Sequence, residues 1–129
     1  MASPTVSAVP PSAPERPRFG LVQGGIVILT LFTAAVHAYY VVKPDEPPRV
    51  RLSFTGVTLA YLGLLAALYL PTAVLRPFRR PARLLLIALA VVTIVGYFVV
   101  GGFDTLGNVT KAGEALLIVL LAVDGFSRR

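Results

Sequence analysis

Lys111 and Glu114 are the charged side chains best placed to do chemistry, because they interrupt an otherwise apolar segment of the chain. They lie three residues apart, a spacing that puts both on one face of a helix and within reach of each other. An ionisable side chain in membrane hydrocarbon costs about 2.5–3.5 kcal/mol, so each needs a partner or a role. We interpret them as a structural ion pair near a membrane surface. The alternative is an ion or proton site, or a contact to an anionic group.

His37 is the only histidine in the chain. It continues a seven-residue repeat of polar residues that begins at Gln23 and Thr30, which predicts a polar stripe facing other helices rather than lipid. The favoured interpretation is a hydrogen bond from His37 to a neighbouring helix. Haem or chlorin ligation, or proton exchange, is the alternative, although a single histidine supplies only one axial ligand per chain.

Further polar residues fall at the same predicted depth in the membrane as these groups. Every apolar segment of the chain contributes to the set, whose main members are His37, Tyr61, Tyr97, Lys111 and Glu114, with Thr55, Thr58 and Thr93 beside them. Polar groups at one depth can satisfy each other inside a bundle, where lipid cannot. The sequence therefore predicts a hydrogen-bonded polar layer between the helices.

Four apolar segments must position these residues, and they cover about 19–42, 52–75, 84–103 and 105–126. Each can cross a hydrocarbon core of about 30 Å at about 1.5 Å per residue. Charged residues make up only 14% of the chain and hydrophobic residues 56%, whereas a soluble domain carries roughly 25% charged residues. This composition excludes a soluble protein. It predicts an all-α fold, a four-helix transmembrane bundle whose short loops make consecutive helices antiparallel neighbours.

Basic residues are distributed unevenly between the two predicted membrane surfaces. Eight lie on the side that holds both termini, namely Arg16, Arg18, Arg76, Arg79, Arg80, Arg83, Arg128 and Arg129. Three lie on the other side, namely Lys43, Arg49 and Arg51. Lys and Arg accumulate in cytosolic loops. We therefore predict that both termini are cytosolic, in a prokaryotic plasma membrane.

The segment between the second and third predicted helices is strongly basic. It carries Arg76, Arg79, Arg80 and Arg83, and each arginine near a membrane surface can add about 1 kcal/mol of attraction to anionic lipid. We predict that these four residues bind lipid headgroups. Asp124 is expected near the same surface, either solvated or paired with Arg128.

The two ends of the chain have compositions unlike the rest. Residues 1–18 contain five prolines and no run of large aliphatic residues, which predicts a disordered cytosolic tail. Residues 127–129 form a short basic C-terminus. An alternative for the first apolar segment is that it belongs to a signal peptide cleaved after Val-His-Ala at positions 36–38, although this apolar region is long for a signal peptide.

The last segment, Thr105–Asp124, resembles the final helix of small uncharacterised four-helix membrane proteins of bacteria and archaea. A Leu-Gly pair followed by a Lys-Ala-x-Glu pattern carries the resemblance, at Leu106, Gly107, Lys111, Ala112 and Glu114. The resemblance implies the four-helix fold and no particular activity.

Several function classes are excluded by what the sequence contains. The chain has no cysteine, so thiolate metal sites are excluded, and no phosphate loop, metal motif or nucleophile–base set indicates an enzyme or a bound cofactor. Eight of the twelve basic residues lie in short segments beside apolar runs, a pattern typical of membrane orientation rather than nucleic-acid binding. We expect an accessory or structural subunit of a larger membrane complex, respiratory or photosynthetic, partnered by lipid and other subunits. The alternatives are a small proton- or ion-coupled transporter using Lys111 and Glu114, and a haem- or pigment-binding protein using His37.

Overall fold

A computed structural model of the chain describes residues 1–3, 5, 7–10 and 19–128. Four long helices account for most of the described residues: α1 (Leu21–Val42), α2 (Pro48–Tyr69), α3 (Arg79–Val100) and α4 (Thr105–Ser127), with a 3₁₀ helix at Ala73–Phe78 before α3. All four are long and apolar enough to cross a membrane. The predicted four-helix architecture is therefore confirmed, and the chain is a multi-pass membrane protein.

The helices form a ring in which each packs on its neighbours in sequence and α4 closes against α1. The backbones of the two diagonal pairs do not approach each other within the described residues. The loops 43–47 and 101–104 lie at one end of the bundle, which we call the loop end. The other end, called the terminal end, holds the beginning of α1, residues 70–78 and the end of α4.

Two predicted segments need correction at their boundaries. The second helix covers Pro48–Tyr69 rather than 52–75, and the third covers Arg79–Val100 rather than 84–103. Proline is tolerated in a first turn, where its missing N–H needs no partner, so α2 begins at Pro48 itself. At its other end α2 stops two residues before Pro71, because proline disfavours helical geometry in the residue before it.

The ends of α3 and α4 at the loop end are set by glycine and aspartate. Gly101 and Gly102 have φ angles of 76° and 83°, a left-handed conformation that ends α3 and that other residues rarely adopt. Asp104 then caps α4, with a side-chain oxygen accepting from Gly107 N at 2.9 Å. Such a cap satisfies one of the otherwise free amides of the first turn.

The predicted N-terminal tail lies largely outside the described residues, which omit 4, 6 and 11–18, together with Arg129. Its described residues, 1–3, 5 and 7–10, contain neither helix nor strand. The tail's location in the cytosol stays a prediction.

One face of α4 supplies much of the buried interior. The buried residues of α4 alternate in steps of three and four, at Gly107, Thr110, Glu114, Leu117, Leu121 and Asp124. This spacing keeps a single stripe of the helix toward its neighbours. By contrast, α3 presents many large apolar side chains outward, including Val92, Phe98 and Val99. Contact with hydrocarbon suits such a surface better than contact with water.

Candidate functional site

The predicted pair of Lys111 and Glu114 is formed deep between the helices. Glu114 is 0% exposed, and its Oε2 lies 2.8 Å from Lys111 Nζ, whose side chain is 11% exposed. Burial strengthens the attraction but removes the hydration of both charges, so the pair depends on good geometry and on further hydrogen bonds.

Those further hydrogen bonds cross the centre of the bundle. The Tyr61 hydroxyl of α2 donates to Glu114 Oε1 at 3.2 Å and lies 3.1 Å from Thr93 Oγ1 of α3. Both oxygens of the Glu114 carboxylate are thus satisfied by this chain. We call the connected set of Lys111, Glu114, Tyr61 and Thr93, with His37 against it, the polar layer.

His37 of α1 is buried against this layer. Its Nδ1 lies 2.8 Å from the carbonyl oxygen of Thr33 in its own helix, so the expected bond to a neighbouring helix is not the one formed. Its ring instead packs on α2, with centroid distances of 5.7 Å to Tyr61 and 5.6 Å to Phe54. A carbonyl only accepts, so Nδ1 carries the hydrogen and Nε2 of the neutral ring keeps a free lone pair.

Tyr97 belongs to the loop end rather than to the centre of the layer. Its hydroxyl lies 3.0 Å from Asn108 Oδ1 and accepts from Asp104 N at 3.1 Å. Its link to the layer is Lys111, whose Nζ lies 5.7 Å from the ring centroid, a cation–π distance. Tyr97 thus holds the 101–104 loop to α4, while its ring flanks the buried ammonium.

Two threonines expected beside the layer do not join it. The hydroxyl of Thr55 donates to Arg51 O at 2.8 Å, and that of Thr58 donates to Phe54 O at 2.8 Å, both within α2. Threonine commonly satisfies its hydroxyl on the preceding turn of its own helix. Depth alone therefore overestimates how many polar groups connect across a bundle.

A cavity of about 550 Å³ lies between the polar layer and the loop end, and all four helices line it. His37, Thr93 and Lys111 line its deep part, while Lys43, Glu46 and Asp104 belong to the loop end. Between them the wall is largely apolar and aromatic. Such a space fits the ring arrangement, in which the backbones of the diagonal helices do not meet within the described residues.

A second polar cluster, the Asp124 cluster, lies at the terminal end. Asp124 is 2% exposed, and its carboxylate accepts from Gln23 Nε2 at 2.6 Å, Arg83 at 2.8 Å and Arg128 Nε at 3.0 Å. The expected pairing with Arg128 is confirmed and the alternative of solvation is wrong. Sequence reasoning missed Gln23 and Arg83, because 101 and 41 residues separate them from Asp124.

The arginines predicted to bind lipid headgroups fall into two groups. Arg83 is held by Asp124 and its side chain is 14% exposed. Arg76 and Arg80 are exposed and Arg79 is half-buried, and these three form no ion pair with another described residue. Arg79, Arg80 and Arg83 belong to the first turns of α3 rather than to a loop. Only Arg76, Arg79 and Arg80 therefore remain available to headgroups.

An apolar layer separates the two polar clusters. Ile26, Leu86, Leu117 and Leu121 are each 0% exposed and pack together at the bundle axis. Glu114 and Asp124 are ten residues apart, which corresponds to about 15 Å along a helix. At this depth Thr30 is also buried, but its hydroxyl donates to Ile26 O of its own helix at 2.7 Å. No hydrogen bond between described residues joins one cluster to the other.

No metal-binding group of three or more His, Asp or Glu side chains occurs among the described residues. Comparison of the chain with known protein families, with curated proteins and with solved structures finds no match. The resemblance carried by the last helix stays a prediction, and the geometry of this chain is what supports a function.

Proposed function

We propose that this protein is a non-catalytic accessory subunit of a larger complex, such as a respiratory or photosynthetic one, in a prokaryotic plasma membrane. The supporting observation is that Glu114 and Asp124, the two buried carboxylates of the described residues, are neutralised by this chain's own side chains, in two clusters that an apolar layer separates. A bundle whose buried charges are already paired is suited to a structural role.

The alternative of a proton- or ion-coupled transporter requires a path. Charges that move through a membrane need polar groups or water along their route, since an unsatisfied polar group in hydrocarbon is costly. Glu114 has both oxygens occupied, by Lys111 and Tyr61, and about 15 Å of helix separates it from Asp124. The packed side chains between them favour a stabilising role over conduction.

The proposed orientation has both termini in the cytosol. It rests on the eight basic residues of the terminal end against three at the loop end. In this orientation the polar layer and its cavity lie in the outer half of the membrane. The Asp124 cluster then lies at the cytosolic surface, beside the arginines at the start of α3.

The test is purification from the source membranes in mild detergent, followed by native mass spectrometry. We expect the chain at a fixed ratio to larger membrane subunits, and a complex that loses stability when the chain is deleted. A chain recovered alone would contradict the proposal, as would proton or cation flux in proteoliposomes that Glu114→Gln abolishes. Glu46→Gln is the matched control, because Glu46 makes only a 3.9 Å pair with Lys43 at the loop end.

A further inference from the structure

Two side chains that line the cavity at the loop end keep hydrogen-bonding capacity that their contacts do not use. Lys111 Nζ carries three N–H donors, and one is used by Glu114 at 2.8 Å. His37 has its hydrogen on Nδ1, bonded to Thr33 O, so Nε2 is a free acceptor. Both residues line the cavity, and His37 lies within electrostatic range of Lys111 and Glu114. The space therefore offers a ligand a donor on Lys111 and an acceptor on His37.

The charges around the cavity favour a neutral ligand. Lys111 is compensated by Glu114, and Lys43 has Glu46 within 3.9 Å. The remaining charge, the Asp104 carboxylate, accepts hydrogen bonds from Gly107 N and from the Tyr40 hydroxyl. An anion would compete with Glu114 for the ammonium, whereas a cation would face that ammonium directly. Either would also lose its hydration on entering a largely apolar space. A neutral group that both donates and accepts a hydrogen bond has neither disadvantage.

The walls of the cavity favour an aromatic ring. Tyr40 and Phe54 stack with ring centroids 5.3 Å apart, and Tyr97 of α3 belongs to the same lining. Aromatic rings prefer offset-stacked or edge-to-face contacts with other rings. The volume of about 550 Å³ lies within the range of about 300–1,000 Å³ that small-molecule pockets occupy.

We propose that this cavity binds a neutral hydroxyaromatic molecule of the phenol class. Its hydroxyl donates to His37 Nε2 and accepts from Lys111 Nζ, and its ring packs among Tyr40, Phe54 and Tyr97. The polar layer thereby forms the base of a binding site and has a role besides holding the helices together. This inference does not depend on the proposed accessory role.

The first test compares three probes on the purified chain in nanodiscs, with empty nanodiscs as the baseline for partition into lipid. We expect 2-naphthol to bind saturably at one site per chain. 2-Methoxynaphthalene, which cannot donate to His37, and the anionic 2-naphthoate are expected to bind at least about tenfold more weakly, because a buried polar group left unpaired costs affinity. Equal binding of 2-naphthol and 2-methoxynaphthalene would overturn the assigned chemistry.

The second test blocks the cavity with a matched pair of variants. Gly96 lines the cavity on α3, and a Cβ at Gly96 or at Gly63 would meet nothing within 4 Å. Gly63 lies outside the cavity lining, on an exposed face of α2. We expect Gly96→Leu to abolish saturable 2-naphthol binding and Gly63→Leu to preserve it, since both replace a helical glycine by leucine. Unchanged binding in Gly96→Leu would overturn the site.

A third variant separates the ligand contact from the fold. His37→Phe removes the free acceptor but keeps a ring against Phe54 and Tyr61, and we expect at least about a tenfold loss of 2-naphthol affinity. Full affinity in this variant would reject the role of His37. The comparison of probes on the unmodified chain decides the proposal even where a variant fails to fold.

Discussion

The hydroxyl of Tyr61 on α2 lies 3.2 Å from Oε1 of Glu114 on α4, although these two helices are diagonal in the ring and their backbones do not meet. A long side chain with a polar tip can bridge a distance that the backbones leave open. The bond joins the two halves of the bundle at one depth. It also supplies the second hydrogen bond that a buried carboxylate requires once Lys111 has provided the first.

Tyr61→Phe is expected to lower the free energy of unfolding by about 1–3 kcal/mol, because Glu114 Oε1 and Thr93 Oγ1 each lose a buried partner. The aromatic ring and its packing on His37 are retained. Thermal unfolding in detergent measures the effect. Tyr39→Phe serves as control, since Tyr39 is 52% exposed; equal losses in the two variants would show that the bridging bond contributes nothing.

Lys111→Met and Glu114→Gln are each expected to lower the melting temperature, while the double variant recovers most of the loss. Breaking a buried pair costs about 3–5 kcal/mol, since it leaves one charge uncompensated. A double-mutant cycle on unfolding free energies measures the coupling. Losses that simply add would mean that the two side chains do not stabilise each other.

Asp124→Asn is expected to be among the most destabilising single substitutions at the terminal end. It leaves Arg83 buried without a counter-charge, at a cost of about 3–5 kcal/mol. Arg128→Gln is expected to cost much less, because the Arg128 side chain is 44% exposed. Asp45→Asn, in an exposed loop position, is the control. Chemical unfolding of the reconstituted protein ranks the three, and a similar loss in all three would contradict the role of the Asp124 cluster.

The triple replacement of Arg76, Arg79 and Arg80 by Gln is expected to weaken binding to anionic vesicles by about 1 kcal/mol per residue. The melting temperature should stay unchanged, because these three arginines form no ion pair with another described residue. Arg83→Gln should do the reverse, since Arg83 is committed to Asp124. Vesicle co-flotation and thermal unfolding together distinguish the two groups. Lipid binding that survives the triple change would remove these arginines from the headgroup surface.

Single cysteines test the orientation, since the chain has none of its own. The positions are Ser7, Asp45, Phe78, Thr105 and Ser127. We expect an impermeant reagent applied from outside the cell to label only positions 45 and 105, which lie at the loop end. External labelling at position 78 would reverse the orientation. A mature chain that begins after residue 38 would establish cleavage of a signal peptide.

Apolar segment length was enough to predict the four helices, because spans of this length have few alternatives in a bilayer. The pair of Lys111 and Glu114 was also predictable, since three residues along a helix fix their neighbourhood. The Asp124 cluster was not, because Gln23 and Arg83 reach Asp124 only through the packing of three helices. A basic residue beside an apolar segment looks the same in sequence whether it meets lipid or a buried carboxylate.

The ends of the helices were predicted less well than their number. Composition placed Arg79 and Arg80 in a loop, but Pro81 sits in the first turn of α3, where proline is readily accommodated. His37 shows a related difficulty on a smaller scale. The sequence predicted its polar stripe, but His37 forms its hydrogen bond with Thr33 O in the same helix. That partner depends on the side-chain rotamer, which the sequence pattern does not specify.

Glu114 and Asp124, the two buried carboxylates in the described part of the chain, are both on α4, and this has a consequence for synthesis. The ribosome synthesises α4 last, and α4 carries the carboxylates that accept hydrogen bonds from one donor on each earlier helix: Gln23, Tyr61 and Arg83. Before α4 is inserted, Arg83 lacks the counter-ion that Asp124 later provides at the membrane surface. A nascent chain arrested before residue 105 therefore lacks the carboxylate acceptors that all three inserted helices use, and the arrival of α4 supplies both of them.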